Sequence, residues 1–98
     1  MSLIRRNPRR DINEQTIRSV LEKYGWSWWS ISGKGIPDAV VCKRGKLALV
    51  EIKNRDGKNK LTEAQLRTFS EMRAVRVPLY VLHDAEDVRV MDAELFSV

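Results

Sequence analysis

Cysteine and histidine are almost missing from this sequence: Cys42 and His83 are the only ones among 98 residues. A lone thiol excludes an intrachain disulfide and a cysteine-based zinc cluster, and it fits a reducing compartment, with Cys42 reading as a small buried hydrophobe. No apolar run approaches the roughly 20 residues that a membrane-spanning helix needs, and the opening MSLIRRNPRR has no apolar segment of a secretory signal. The expected location is the cytoplasm, of a bacterium or of the host of a phage that encodes the chain. Acids are also the minority charge, 13 Asp and Glu against 18 Lys and Arg, a net charge of +5. That excess favours a polyanionic partner. The length allows one domain with a small core, whose stability can lean on a partner subunit.

RRNPRR carries Arg5, Arg6, Arg9 and Arg10 around Asn7-Pro8. It reads as a basic arm over residues 1–10, either a solvated tail or a phosphate contact, ahead of a single domain over 11–98. Ile17, Val20, Leu21 and Tyr24 recur at helical spacing and predict an amphipathic helix from Asp11 to Tyr24, ended by Gly25. WSWWSIS alternates as a strand does, and GKGIP makes a turn. Two more strands are predicted at about 38–43 and 46–53, joined at Arg44-Gly45, followed by the basic loop NRDGKNK. LTEAQL is a strong helix start, with Thr62 as N-cap, Gln65 completing a capping box and Leu61 stapled to Leu66. VPLYVLH is a strand with Pro78 at its beginning, where no ladder donor is needed. The tail is open between an edge strand at Val88 to Met91 and a terminal helix. The expected fold is α/β, a mixed sheet flanked by helices in the order α-β-β-β-α-β.

Within KGIPDAVVCKRGKLALVEIKNR, two strands that should build core carry Asp38, Glu51 and Lys53. If the hairpin loop is two or four residues, opposed positions sum to 89, so Val40 faces Leu49 and Asp38 faces Glu51. Period-two alternation then puts Lys53 on the Glu51 face. A three-residue loop with a bulge shifts the register by one and spoils the direct opposition. Two carboxylates about 5 Å apart repel by roughly 3 kcal/mol at an effective dielectric near 20. A sequence tolerates this when one acid is protonated, when Lys53 and other bases neutralise the pair, or when a divalent cation sits between them. Hard oxygen ligands of this kind suit Mg²⁺ or Mn²⁺ rather than zinc. The plainer alternative is strand-end charges exposed to water.

Glu14 is a third candidate acid, one turn before Ile17 at the edge of the apolar face, whereas Glu22 points to solvent. DINE is equally a capping box with Asp11 as N-cap and Glu14 reaching back. Gln65 has the same double reading, a capping glutamine or a site residue.

The order PD, a dozen residues, then EIK resembles the signature of the PD-(D/E)XK nuclease superfamily. GIPDAVVCKRGKLALVEIKNRDGKNKLTEAQLRTF with VPLYVLH looks like its VRR-NUC branch, in which G-x-P-D, E-x-K and a glutamine at a helix start recur in this order. The resemblance runs from about Gly35 to His83 and implies a restriction-endonuclease-like core. It implies that Asp38 and Glu51 are metal-binding acids, with the Ile52 carbonyl and Glu14 as further ligands, that Lys53 is the catalytic lysine and that Gln65 is the motif glutamine. Archaeal Holliday-junction resolvases of the same superfamily carry a similarly placed acid on the first helix, and a serine for which Ser30 or Ser32 would stand.

The activity so implied is Mg²⁺- or Mn²⁺-dependent endonucleolytic hydrolysis of DNA, selective for branched or four-way junctions, by a homodimer. The alternatives are a nicking or restriction-type nuclease and a catalytically silent DNA-binding protein of the same fold. Lys34, Arg55, Lys58 and Lys60 flank the motif and could line a groove for the DNA backbone with the N-terminal arginines. Trp26, Trp28 and Trp29 read as core and interface residues or as stacking platforms for unpaired bases. His83 reads as an ordinary strand-end residue rather than a general base.

Overall fold

A computed structural model describes residues 8–54 and 60–97, the first five of them (8–12) as backbone alone. Arg5, Arg6, Arg55 and Lys58 lie outside the described residues. The elements run α1 (Pro8–Lys23), β1 (Ser27–Ser30), β2 (Ala39–Lys43), β3 (Lys46–Ile52), α2 (Glu63–Ala74), β4 (Leu79–Leu82) and α3 (Ala85–Phe96). The four strands form one sheet in the order β1-β2-β3-β4, antiparallel except for the parallel β3–β4 pair that α2 connects. This is the expected mixed α/β sheet, with the open question at the tail decided for a helix. Val88 and Met91, fully buried on α3, lie three residues apart and meet the core on one helix face, a spacing that a strand would have turned to opposite sides.

Helix α1 begins at Pro8, three residues before the expected Asp11. Proline is well tolerated at the first helical position, where its missing N–H has no intrahelical partner to lose. Arg9 and Arg10 therefore belong to the first turn of α1 by backbone position. Asp11 becomes an interior helix residue, so DINE is not the capping box at this helix start. At the other end Gly25, at φ +94°, closes the helix as expected: its N–H reaches the Glu22 carbonyl and the Trp26 N–H reaches Leu21, both at 2.9 Å. That crossed pair of bonds is the Schellman arrangement, which glycine's freedom at positive φ permits.

The β2–β3 hairpin fixes the site. Arg44 and Gly45 sit at φ 48° and 82°, the paired positive values of a type I′ turn, and Lys43 pairs with Lys46. The register then runs back through Val40 opposite Leu49 to Ala39 opposite Val50. It is the register in which opposed numbers sum to 89, without a bulge.

Alternation sorts the sheet into two faces. Ala39, Val41, Ala48, Val50, Ile52 and Leu82 are fully buried on one face, under Ile17 and Leu21 of α1 and Val88 and Met91 of α3. The buried centre of α1 is thus Ile17 and Leu21, with Val20 and Tyr24 at the flank. Val40, Leu49 and Leu79 share the opposite face, which α2 crosses with Phe69 buried beneath it.

Candidate active site

Asp38 immediately precedes β2, and one step of the same register beyond Ala39 and Val50 sets it opposite Glu51. Its position is held from three sides of the backbone. Its carbonyl accepts from the Ile31 N–H at 2.9 Å, its Oδ2 accepts from the Ile52 N–H at 2.8 Å, and Pro37 before it is buried. Gly35 of G-x-P-D, at φ +77°, passes so close to α2 that a Cβ there would lie 2.8 Å from the Ala64 carbonyl oxygen and 2.9 Å from Thr68 Oγ1. Only glycine permits that approach, which docks the loop before Asp38 on the helix that carries Gln65.

Glu51 is 0% exposed. Its Oε2 accepts from Gln65 Nε2 at 2.8 Å and lies 3.2 Å from Lys53 Nζ, while its Oε1 is buried with no hydrogen-bond partner among the described residues. Burial pushes the Glu51 carboxyl up and the neighbouring Asp38 charge adds to the rise, against the pull of Lys53 and the Gln65 bond. Lys53 is itself buried. Its ammonium also donates to the Lys60 carbonyl at 3.3 Å, its N–H donates to Leu82 at 3.1 Å, and its own carbonyl accepts from Asn13 Nδ2 at 3.1 Å. The exposed strand-end alternative therefore does not describe Glu51 or Lys53.

Both readings of Gln65 hold at once. Thr62 Oγ1 accepts from the Gln65 N–H at 3.1 Å and Gln65 Oε1 accepts from the Thr62 N–H at 2.9 Å, a complete capping box. The amide nitrogen left over is the one on Glu51.

Glu14 is half-buried on the stripe that continues to Ile17 and Leu21, one residue from the Asn13 that bonds Lys53. No group of three or more Asp, Glu, His or Cys side chains converges as a metal site among the described residues, so Glu14 is not gathered with Asp38 and Glu51 in one three-acid cluster. Lys34 is exposed on the rim of a cleft of about 610 Å³ between the 33–36 loop and the first turns of α2, and Gln65 and Arg67 line its other side. Lys60 is exposed and meets the site through its backbone carbonyl.

The resolvase-like serine is not found at Ser30, whose hydroxyl accepts from the Trp28 indole at 2.8 Å, opposite Ala39 on the other sheet face. Ser32 is exposed. His83 Nδ1 lies 2.8 Å from Asp87, whose carboxylate also accepts the His83 N–H, so this residue braces the start of α3.

The three tryptophans separate. Trp26 is buried, its indole donating to Asp92 with its ring edge-on to Phe96, and Trp28 lies under the Arg18 guanidinium. Trp29 is 56% exposed.

Sequence reasoning missed Asn13 and Arg67. Asn13 had a signal in its place beside Glu14, one turn before the buried stripe. Arg67 had none, because its role depends on how close Gly35 lies to α2.

No protein-family model and no curated protein sequence matches this chain. Among solved structures, a VRR_NUC domain superposes with a TM-score of 0.71 over 91% of this chain and 97% of its own, at 20% identity. The chain therefore has the VRR_NUC domain fold, a four-stranded mixed sheet flanked by helices.

Proposed function

We propose that this chain is a metal-dependent DNA endonuclease of the VRR-NUC type, selective for branched DNA and acting as a homodimer. The observation that carries the reading is the buried Glu51 carboxylate, opposed to Asp38, salt-bridged to Lys53 and with one oxygen unpartnered among the described residues. A buried acid next to another acid is costly unless something binds it. The donor set, two hard carboxylates without nitrogen or sulfur, fits Mg²⁺ or Mn²⁺.

Asp38 and Glu51 would hold the ion, with the Ile52 carbonyl at the end of β3, and with Glu14, which does not converge with them, reached through water. What a divalent ion supplies when bound is an acidified water and a counter-charge for the phosphate. The protein supplies the rest. Gln65 and Lys53 together fix Oε2, which leaves the buried Oε1, without a partner among the described residues, as the oxygen free to take the ion. Lys53, held in a dry setting by Glu51 and the Lys60 carbonyl, can orient the attacking water or meet the charge that builds on the scissile phosphate. Lys34 and Arg67 on the cleft beside Gln65 would guide the DNA backbone.

Purified protein with Mg²⁺ or Mn²⁺ should place symmetric paired nicks in a four-way junction, and Asp38→Ala should abolish them. If junctions, flaps, linear duplex and supercoiled duplex all stay intact with the unsubstituted protein, the enzyme reading is wrong. Cleavage of linear duplex as fast as of junctions would instead favour a nicking or restriction-type enzyme.

A further inference from the structure

Trp29 pairs with Val40, which pairs with Leu49, so all three side chains stand on one sheet face. The next row on that face is Ile31, Asp38 and Glu51, by the same register and the Ile31 N–H bond to Asp38. Trp29 and Asp38 are thus diagonal neighbours on adjacent strands, positions about 7–8 Å apart. The largest exposed ring of the described chain lies one residue row from the candidate metal acids. Among the described elements α2 packs over the β4 side of this face; Trp29 on β1 is 56% exposed, and Leu47, near the hairpin end of β3, is 50% exposed.

We propose that Trp29 is a stacking platform for an unpaired base next to the scissile phosphate, and so makes the enzyme prefer DNA with unpaired nucleotides at the cut. This rests on the nuclease reading above. The surroundings are those of a single-strand site rather than an interface core. Exposed cations lie in the turns at the ends of the strand neighbours of Trp29, Arg44 at the hairpin tip and Lys34 in the loop that follows β1, in a chain of net charge +5. Interface cores are depleted of charge, whereas single-strand sites combine cations along the backbone with rings that take any base. The other two tryptophans cannot serve, because Trp26 is buried against Asp92 and Phe96 and Trp28 already carries Arg18 on its ring.

The test is binding by the full chain in EDTA, where cleavage is silent, followed by tryptophan emission. Oligo-dT and a duplex with an unpaired flap should quench the emission; a blunt duplex of the same length should not. Trp29→Ala should weaken binding of the flapped duplex by roughly 5- to 150-fold, the range that base–aromatic stacking spans, and leave the blunt duplex unchanged. Trp29→Phe should retain most of the affinity. Equal losses on both DNAs would overturn the proposal, as would a protein dimer that forms without DNA and is dissolved by Trp29→Ala, since a second copy would then cover the ring. Flap-selective quenching by a chain that cuts no DNA would sink the nuclease reading while leaving the stacking site in place.

Discussion

Gln65 closes the N-terminus of α2 with its amide oxygen and holds Glu51 with its amide nitrogen, 2.8 Å from Oε2. One side chain therefore ties the start of a helix to the most buried acid of the sheet. Gln65→Glu separates the two tasks, since a carboxylate still caps Thr62 but sets a third negative charge against Glu51. The cap on Thr62 should persist while the added charge beside buried Glu51 lowers the melting temperature, and metal affinity or activity falls by roughly 10–100-fold, as for other groups that orient a ligand. Isothermal titration with Mn²⁺ together with a melting curve distinguishes this from simple unfolding.

Lys53 neutralises Glu51 where water cannot. Lys53→Met keeps the stem but leaves a buried carboxylate without its cation, a change that costs about 3–5 kcal/mol when one partner of a buried pair is removed. Urea unfolding in EDTA should show that loss, and nicking should disappear. A variant that is inactive with unaltered stability would mean that Glu51 does not rely on this ammonium.

The raised Glu51 carboxyl gives a pH dependence of definite sign. Between its unfolded value near 4.5 and its higher folded value, the unfolded chain binds fewer protons than the folded one. This group's contribution to stability therefore falls as pH rises through that window, then levels off above the folded value. Asp38→Asn removes the neighbouring charge and keeps an acceptor for the Ile52 N–H, so it should narrow the window in EDTA and abolish cleavage in Mg²⁺. Chemical denaturation at stepped pH reads the first effect, and a junction assay reads the second.

Gly35→Ala should destabilise the protein by about 1–3 kcal/mol, because a side chain at positive φ is strained and its Cβ meets the Ala64 carbonyl. Since the displaced helix carries Gln65, activity should fall in the fraction that remains folded. Thermal melting and specific activity of the soluble protein measure the two. An unchanged melting temperature would mean that the loop need not lie against α2.

Much of this was legible because it depended on local rules. Arg44-Gly45 specified a tight turn, the turn specified the register, and the register set Asp38 beside Glu51. Thr62 and Gln65 announced a helix start through spacing alone. What was hidden depended on contacts distant in sequence. The partner of the Gln65 amide, 14 residues away, could not be seen from a capping motif. Nothing within WSWWSIS separates its rings, because their fates depend on Asp92, Arg18 and the β1 edge of the sheet. The tail VRVMD alternates well enough for a strand, and the cap at Asp84 together with the core under Val88 and Met91 makes it helical. Glu14 was placed by period on the correct stripe, but α1 starts three residues early and removes the cap that would have explained it away.

The hairpin between the two acids also sets an arithmetic for its relatives. A strand pair closed by a two-residue turn keeps the two acids directly opposed only when both arms grow together, so residues enter the span between Asp38 and Glu51 in pairs. Among chains that use this turn without a bulge, the spacer should run ten, twelve or fourteen, and never eleven or thirteen. The dozen found here is one rung on that ladder. Spacer parity thus becomes a test, applicable to bare sequences, of whether a PD…E-x-K string can bring its two carboxylates face to face.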